Sequence, residues 1–160
     1  ENSSNTPCLV IAGETTCRMM KYREKLEDWI RDHNLGSKIC WVDRLNENEM
    51  AWCYQNCLAF IMTSRVESFG MIGGEAMSHG CICVSADNPC LPEIFKDSAI
   101  YYPPKDGKAL ADAIKTVLNW DDNQRAAASE RAKMQAAKFS WDICAEKTVA
   151  ELLKAATNFR

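Results

Sequence analysis

Short apolar runs and helix-patterned stretches alternate along the whole of this chain, and that alternation restricts its fold more than any other feature. A strand, a helix and a second strand in succession bring the second strand back parallel to the first, since a parallel return needs a crossover of a dozen or more residues. Repeated, the unit gives a parallel sheet with helices on both faces. Leu9–Ala12 is a first apolar run, stopped by Gly13. Residues 22–34 follow with Leu26, Trp29 and Ile30 at helical spacing, and Leu35-Gly36 ends them. Ile39–Val42 reads as the second strand. Asn46, with Glu49 three residues on, forms a capping box for a helix over Glu47–Asn56. Residues 58–62 form the third strand, 70–79 a helix closed by Gly80, 81–85 the fourth strand and Ala99–Tyr102 the fifth, ended by Pro103-Pro104. Residues 107–119, 121–138 and 140–156 are helical in pattern.

The 160 residues, 47% of them hydrophobic, suffice for one core, and no repeat, linker or low-complexity tract divides residues 1–160. A single domain is expected. No run of about 18 apolar residues occurs, so no transmembrane helix is encoded. Residues 1–6 lack the basic start and apolar stretch of a secretory signal, which points to the cytoplasm. A net charge of −3 with both signs interspersed argues against nucleic acid as a partner. The nine cysteines are an odd number. Cys81 and Cys83 alternate along a strand and so share a face, where they pack as small hydrophobes. Cys53 and Cys57 lie four apart on a helix with no matching pair at zinc spacing, so neither a metal site nor a disulfide scaffold is expected.

In open parallel sheets ligands collect at the carboxyl ends of the strands. The loops after Ala12, Val42, Met62 and Ser85 are therefore the ones to search. The segment after Met62, Thr63-Ser64-Arg65-Val66-Glu67-Ser68-Phe69-Gly70-Met71-Ile72-Gly73-Gly74-Glu75-Ala76-Met77, carries two carboxylates, Glu67 and Glu75, across the start of a helix. With the helix opening near Phe69 or Gly70, its free amides and positive dipole end suit a diphosphate. Glu67 stands before that opening and Glu75 about 8–9 Å further along the axis. A carboxylate accepts two hydroxyl hydrogen bonds, so one Glu could hold a sugar and the other a ribose. By spacing alone, a solvated pair of glutamates is the better explanation of the pattern. Gly73-Gly74 costs about 1 kcal/mol per residue against alanine in mid-helix. Close approach of a ligand or of a neighbouring strand would each account for it. Arg65 and Glu93 are exposed-loop candidates at most, and His79 and His33 sit at helix ends.

Read whole, the segment resembles the donor-binding signature of the retaining GT-B glycosyltransferases, the large family of bacterial mannosyl-, glucosyl- and galactosyltransferases. Leu9-Val10-Ile11-Ala12-Gly13, residues 50–57, Glu75-Ala76-Met77-Ser78-His79-Gly80, Leu91-Pro92-Glu93, Tyr101-Tyr102-Pro103-Pro104 and Phe139-Ser140-Trp141 fall in the family's order, so the resemblance spans nearly the whole chain. It implies that Glu67 faces the transferred sugar as the catalytic glutamate and that Glu75 faces the ribose. The backbone of Ser68, Phe69, Gly70 and Met71 would contact the diphosphate, with Gly13 among the donor contacts. It implies a UDP-, GDP- or ADP-sugar donor, transfer with retention, no cofactor and no metal. The family's domain opens with one more strand and helix, whose loop carries an Arg and a Lys, and no equivalent of those basic residues is found here. The chain is thus expected to be a fragment of a two-domain protein that lacks its acceptor-binding half, the half through which a parent would touch a membrane peripherally.

Because the missing strand lies centrally in the family, direct pairing of the first and third strands would give a three-layer, Rossmann-like domain. Its five-stranded parallel sheet would have the order 2-1-3-4-5, with extra C-terminal helices. The competing reading is a non-catalytic Rossmann- or flavodoxin-like binding module. A receiver needs clustered aspartates after its first strand, and a dinucleotide site needs Gly-x-Gly-x-x-Gly; Ala12-Gly13-Glu14-Thr15-Thr16 supplies neither.

Overall fold

A computed structural model of the chain describes residues 7–158. Residues 1–6, on which the absence of a secretory signal was read, lie outside the described residues. The chain forms two compact units, residues 1–50 and 51–160.

The first unit is one strand–helix–strand repeat: β1 (Leu9–Ala12), α1 (Met20–Asp32) and β2 (Ile39–Val42). The strands are parallel, in register from Leu9 opposite Ile39 to Ala12 opposite Val42. Arg23 of α1 fastens the repeat. Its Nε meets Glu27 at 2.8 Å, and its Nη1 donates to Asp43 at 2.5 Å and to Thr15 at 2.9 Å. The guanidinium also lies 5.0 Å from the centroid of the Trp41 ring. One helix thus holds both strand-end loops.

Helix α2 (Glu47–Asn56) runs from the first unit into the second and opens with the expected capping box. The Asn46 side chain accepts from the Glu49 amide at 3.0 Å, and the Glu49 carboxylate accepts from the Asn46 amide at 2.8 Å. The second unit continues with β3 (Phe60–Met62), α3 (Met71–Ser78), β4 (Cys83–Ala86), α4 (Cys90–Phe95), a 3-10 turn (Lys96–Ser98) and β5 (Ala99–Tyr102). Three helices follow: α5 (Gly107–Leu118), α6 (Asp122–Ala136) and α7 (Trp141–Asn158). β3, β4 and β5 pair in that order, all parallel. All four residues of central β4 are buried, as expected of a strand covered on both faces. Val84 and Ala86 pack with Tyr102, with Ala113 and Val117 of α5 and with Ala128 of α6. Cys83 points the other way, toward the Gly73 carbonyl of α3. Cys81 and Cys83 are buried as the alternation anticipates.

Among the described residues the strands form two separate ladders, β1-β2 and β3-β4-β5, so the single five-stranded sheet of order 2-1-3-4-5 is not found. Every ladder that does form joins strands consecutive in sequence through a crossover helix, whereas the missing one would join strands that have β2 between them. Helix α4 is a second departure, since the Leu91-Pro92-Glu93 stretch reads as loop. Pro92 is the third helical residue, where the amide it lacks has no intrahelical acceptor to lose.

Two tyrosines make the fold sensitive to alkali. Burial, then the charge of Glu75, pushes the Tyr54 hydroxyl from 10.0 up to about 12. Burial, then Asp87, pushes Tyr101 up to about 12 as well. A phenol kept neutral in the fold but free to ionise when unfolded stabilises the fold fully below the unfolded value, and that contribution is lost as pH rises from 10.0 to about 12. Urea unfolding midpoints are expected to fall across that window. Phenylalanine at both positions should flatten the fall.

Candidate functional site

Residues 63–70 pass from the carboxyl end of β3 to α3 without regular structure, and three side chains hold their path. The Tyr102 hydroxyl of β5 donates to the Met62 carbonyl at 3.3 Å. The Asn88 amide, after β4, donates to the Ser64 carbonyl. The Cys90 thiol of α4 donates to the Glu67 carbonyl at 3.1 Å. Phe69 meets Phe139 edge-on, with ring centroids 5.2 Å apart. Sequence reasoning missed Asn88, Cys90 and Tyr102 as supports. Asn88 carried a signal, since it is an amide side chain in the loop just past the carboxyl end of β4, and it proves only 7% exposed. Asn88→Ala is expected to leave the Ser64 carbonyl unpaired and to cost about 1–3 kcal/mol. A lowered urea midpoint with an unchanged m value would check this.

Gly70 has φ 79° and ψ 42°, so it cannot belong to the right-handed helix. The helix therefore opens at Met71, one or two residues later than expected, and no side chain caps it. The Gly74 amide reaches back to the Gly70 carbonyl at 3.1 Å, which leaves the amides of Met71, Ile72 and Gly73 without intrahelical acceptors. At this positive helix end Met71 and Ile72 are exposed, and Gly70 and Gly73 are buried. The later start also shortens the spacing within the helix. Glu75 lies four residues past Met71, about 6 Å along the axis.

Glu67 is half-buried, Ser68, Phe69, Met71 and Glu75 are exposed, and Gly70 is buried. These six residues share one loop-and-helix segment. Gly13 belongs to the other unit, at the carboxyl end of β1, with φ 145° and its amide on the Val42 and Asp43 carbonyls at 3.1 and 2.8 Å. His79 caps the carboxyl end of α3 and stacks on Tyr54, with centroids 5.5 Å apart. Arg65 and Glu93 are exposed. Among the described residues, no cluster of three or more His, Cys, Asp or Glu converges as a metal site, and no helix is long and apolar enough to cross a membrane.

The two mid-helix glycines separate in kind. A β-carbon on Gly73 would lie 2.4 Å from Phe95 Cζ and 3.2 Å from Met62 Sδ, so packing against a helix and a strand requires glycine there. A β-carbon on Gly74 would meet nothing within 4 Å. Internal packing explains the first glycine and leaves the second unexplained.

A strand-end loop carrying two glutamates into an uncapped helix is the segment on which the family resemblance turns, and residues 1–135 match the model of the glycosyl transferases group 1. The chain belongs to that family. It is 31% identical over 117 residues to O-antigen chain mannosyltransferase B of Escherichia coli, covering 71% of this chain and 30% of that protein. It is 29% identical over 143 residues to D-inositol 3-phosphate glycosyltransferase of Corynebacterium urealyticum, covering 88% of this chain and 34% of the relative. The chain thus spans about a third of the length of these curated relatives. Among solved structures, HepE of Anabaena in complex with UDP and glucose superposes with a TM-score of 0.80 at 20% identity, over 92% of this chain and 40% of that one. The C-terminal domain of the group 1 protein LpcC from Francisella tularensis superposes with a TM-score of 0.72 at 22% identity, over 82% of this chain and 68% of that one. These superpositions show that the chain has the Rossmann-like fold of those structures.

Proposed function

We propose that this chain is the donor-binding part of a hexosyltransferase whose intact form moves a sugar, with retention, from a UDP-, GDP- or ADP-sugar to a glycan or lipid-linked acceptor. The observation that carries the reading is the uncapped opening of α3 at Met71, with Glu67 before it and Glu75 just over one turn into it. Free amides at the positive end of a helix bind a diphosphate and stabilise the charge it gains on leaving. That provides anion stabilisation from the chain itself, without a metal ion. Glu67 accepts hydroxyls of the transferred hexose and Glu75 accepts the ribose hydroxyls, while the backbone of Ser68, Phe69, Gly70 and Met71 lines the diphosphate. The acceptor sits on the other half of the intact protein, which works in the cytoplasm and touches the membrane peripherally where the acceptor is lipid-linked.

Titration calorimetry of the chain with UDP, GDP and ADP tests the reading. UDP is the first ligand to try, because the similarly folded HepE holds it. Weak binding of one nucleotide, reduced by Glu75→Gln, is the expected result. No heat from any of the three at millimolar concentration would count against a donor site in this chain. Donor binding without transfer by the intact protein would instead favour a non-catalytic module.

A further inference from the structure

We propose that Cys57 and Cys81 form a thiol pair that low-molecular-weight disulfides convert to an intrachain disulfide, with exposed Cys57 as the attacking thiol and buried Cys81 as the resolving one. Their sulfurs lie 3.5 Å apart. Cys57 is exposed at the end of α2, and Cys81 is 3% exposed in the turn between α3 and β4. Both positions are held by backbone hydrogen bonds, Cys57 N–H to the Cys53 carbonyl at 2.9 Å and Cys81 N–H to the Ala76 carbonyl at 3.0 Å. Both thiols also reach the Tyr54 carbonyl, at 3.5 and 2.9 Å. The proximity is therefore set by the main chain rather than by side-chain rotation alone. The contact between the two sulfurs lowers the Cys57 thiol's pKa, and the same contact together with burial raises that of Cys81, which divides the roles in the proposed sense.

The chemistry balances with a disulfide such as glutathione disulfide as the oxidant. The Cys57 thiolate attacks one sulfur, forming a mixed disulfide and releasing one glutathione thiolate. The Cys81 sulfur then attacks Cys57 Sγ, and the second glutathione leaves. Two protein thiols are oxidised, one glutathione disulfide is reduced to two thiols, and the protons of Cys57 and Cys81 pass to the leaving thiolates. The bond would close residues 57–81 into a loop containing β3, the Glu67 segment and α3. It would lie at the amino ends of β3 and β4, away from the strand ends where the donor site is proposed, so the two proposals stand or fall separately.

Peptide mapping under non-reducing conditions after treating the chain with glutathione disulfide tests the pair. The expected product has a Cys57–Cys81 link, no retained glutathione and a raised Tm that dithiothreitol reverses. Cys81→Ala should stop at one glutathione on Cys57, and Cys57→Ser should leave Cys81 unmodified. Glutathione retained on Cys57 of the unsubstituted chain, or an earlier link between any other two of the nine cysteines, would overturn the proposal without recourse to either variant.

Discussion

Glu67→Gln in the intact protein is expected to lower kcat/KM for transfer by about 10- to 150-fold, the loss of one charge-assisted hydrogen bond of about 1.5–3 kcal/mol. The substitution keeps the side chain's size and removes its charge, so the fold should be untouched; the structural link of this residue is its carbonyl on the Cys90 thiol, which glutamine preserves. Because the reading places Glu67 on the sugar that changes charge during transfer, the effect belongs in kcat as well as in kcat/KM. Glu75→Gln is expected to behave differently. A ribose contact is the same in ground and transition states, so KM should rise while kcat holds. Steady-state kinetics of the two variants, with circular dichroism as the check on folding, separate the roles. Equal effects of both on KM alone would place Glu67 outside the chemistry.

How much of this was visible in the sequence depends on how local each signal is. The Asn46–Glu49 capping box, the Glu47–Asn56 helix and β5 at Ala99–Tyr102 came out as read, because a few adjacent residues decide each of them. The family of the chain was equally readable, since its motifs are short and ordered. The strand order was not. Pairing of β1 with β3 would join two distant segments, and nothing in Leu9–Ala12 or Phe60–Met62 encodes which edge meets which. The helix opening was displaced for a related reason: a glycine before a helix can be its first residue or a left-handed turn, and at Gly70 the packing of Leu91 and Phe95 accompanies the latter. The supports of the site loop, Asn88 and Cys90, were hidden because each acts on a carbonyl 24 or 23 residues away in sequence.

Gly70→Val is expected to destabilise the chain by about 2–5 kcal/mol, the sum of a left-handed backbone costing about 1–2 kcal/mol for a residue with a β-carbon and overpacking costing about 1–3 kcal/mol. The φ of 79° supplies the first part. For the second, a β-carbon at Gly70 would lie 2.7 Å from Leu91 Cδ2 and 3.0 Å from Phe95 Cζ. Both side chains are fully buried, so neither can swing aside. Against a total stability of about 5–15 kcal/mol for a typical domain, much of the fold's margin is consumed. Gly74→Ala, four residues on, is the matched control. Its added methyl meets no atom within 4 Å, so the helix gains about 0.5–1 kcal/mol from alanine's propensity. Urea melts of the two variants should therefore move in opposite directions. Nucleotide titration of Gly74→Ala then decides what packing leaves open: a chain that is more stable yet binds UDP less tightly would show that the bare backbone at Gly74 faces the ligand, and unchanged affinity would show that it does not.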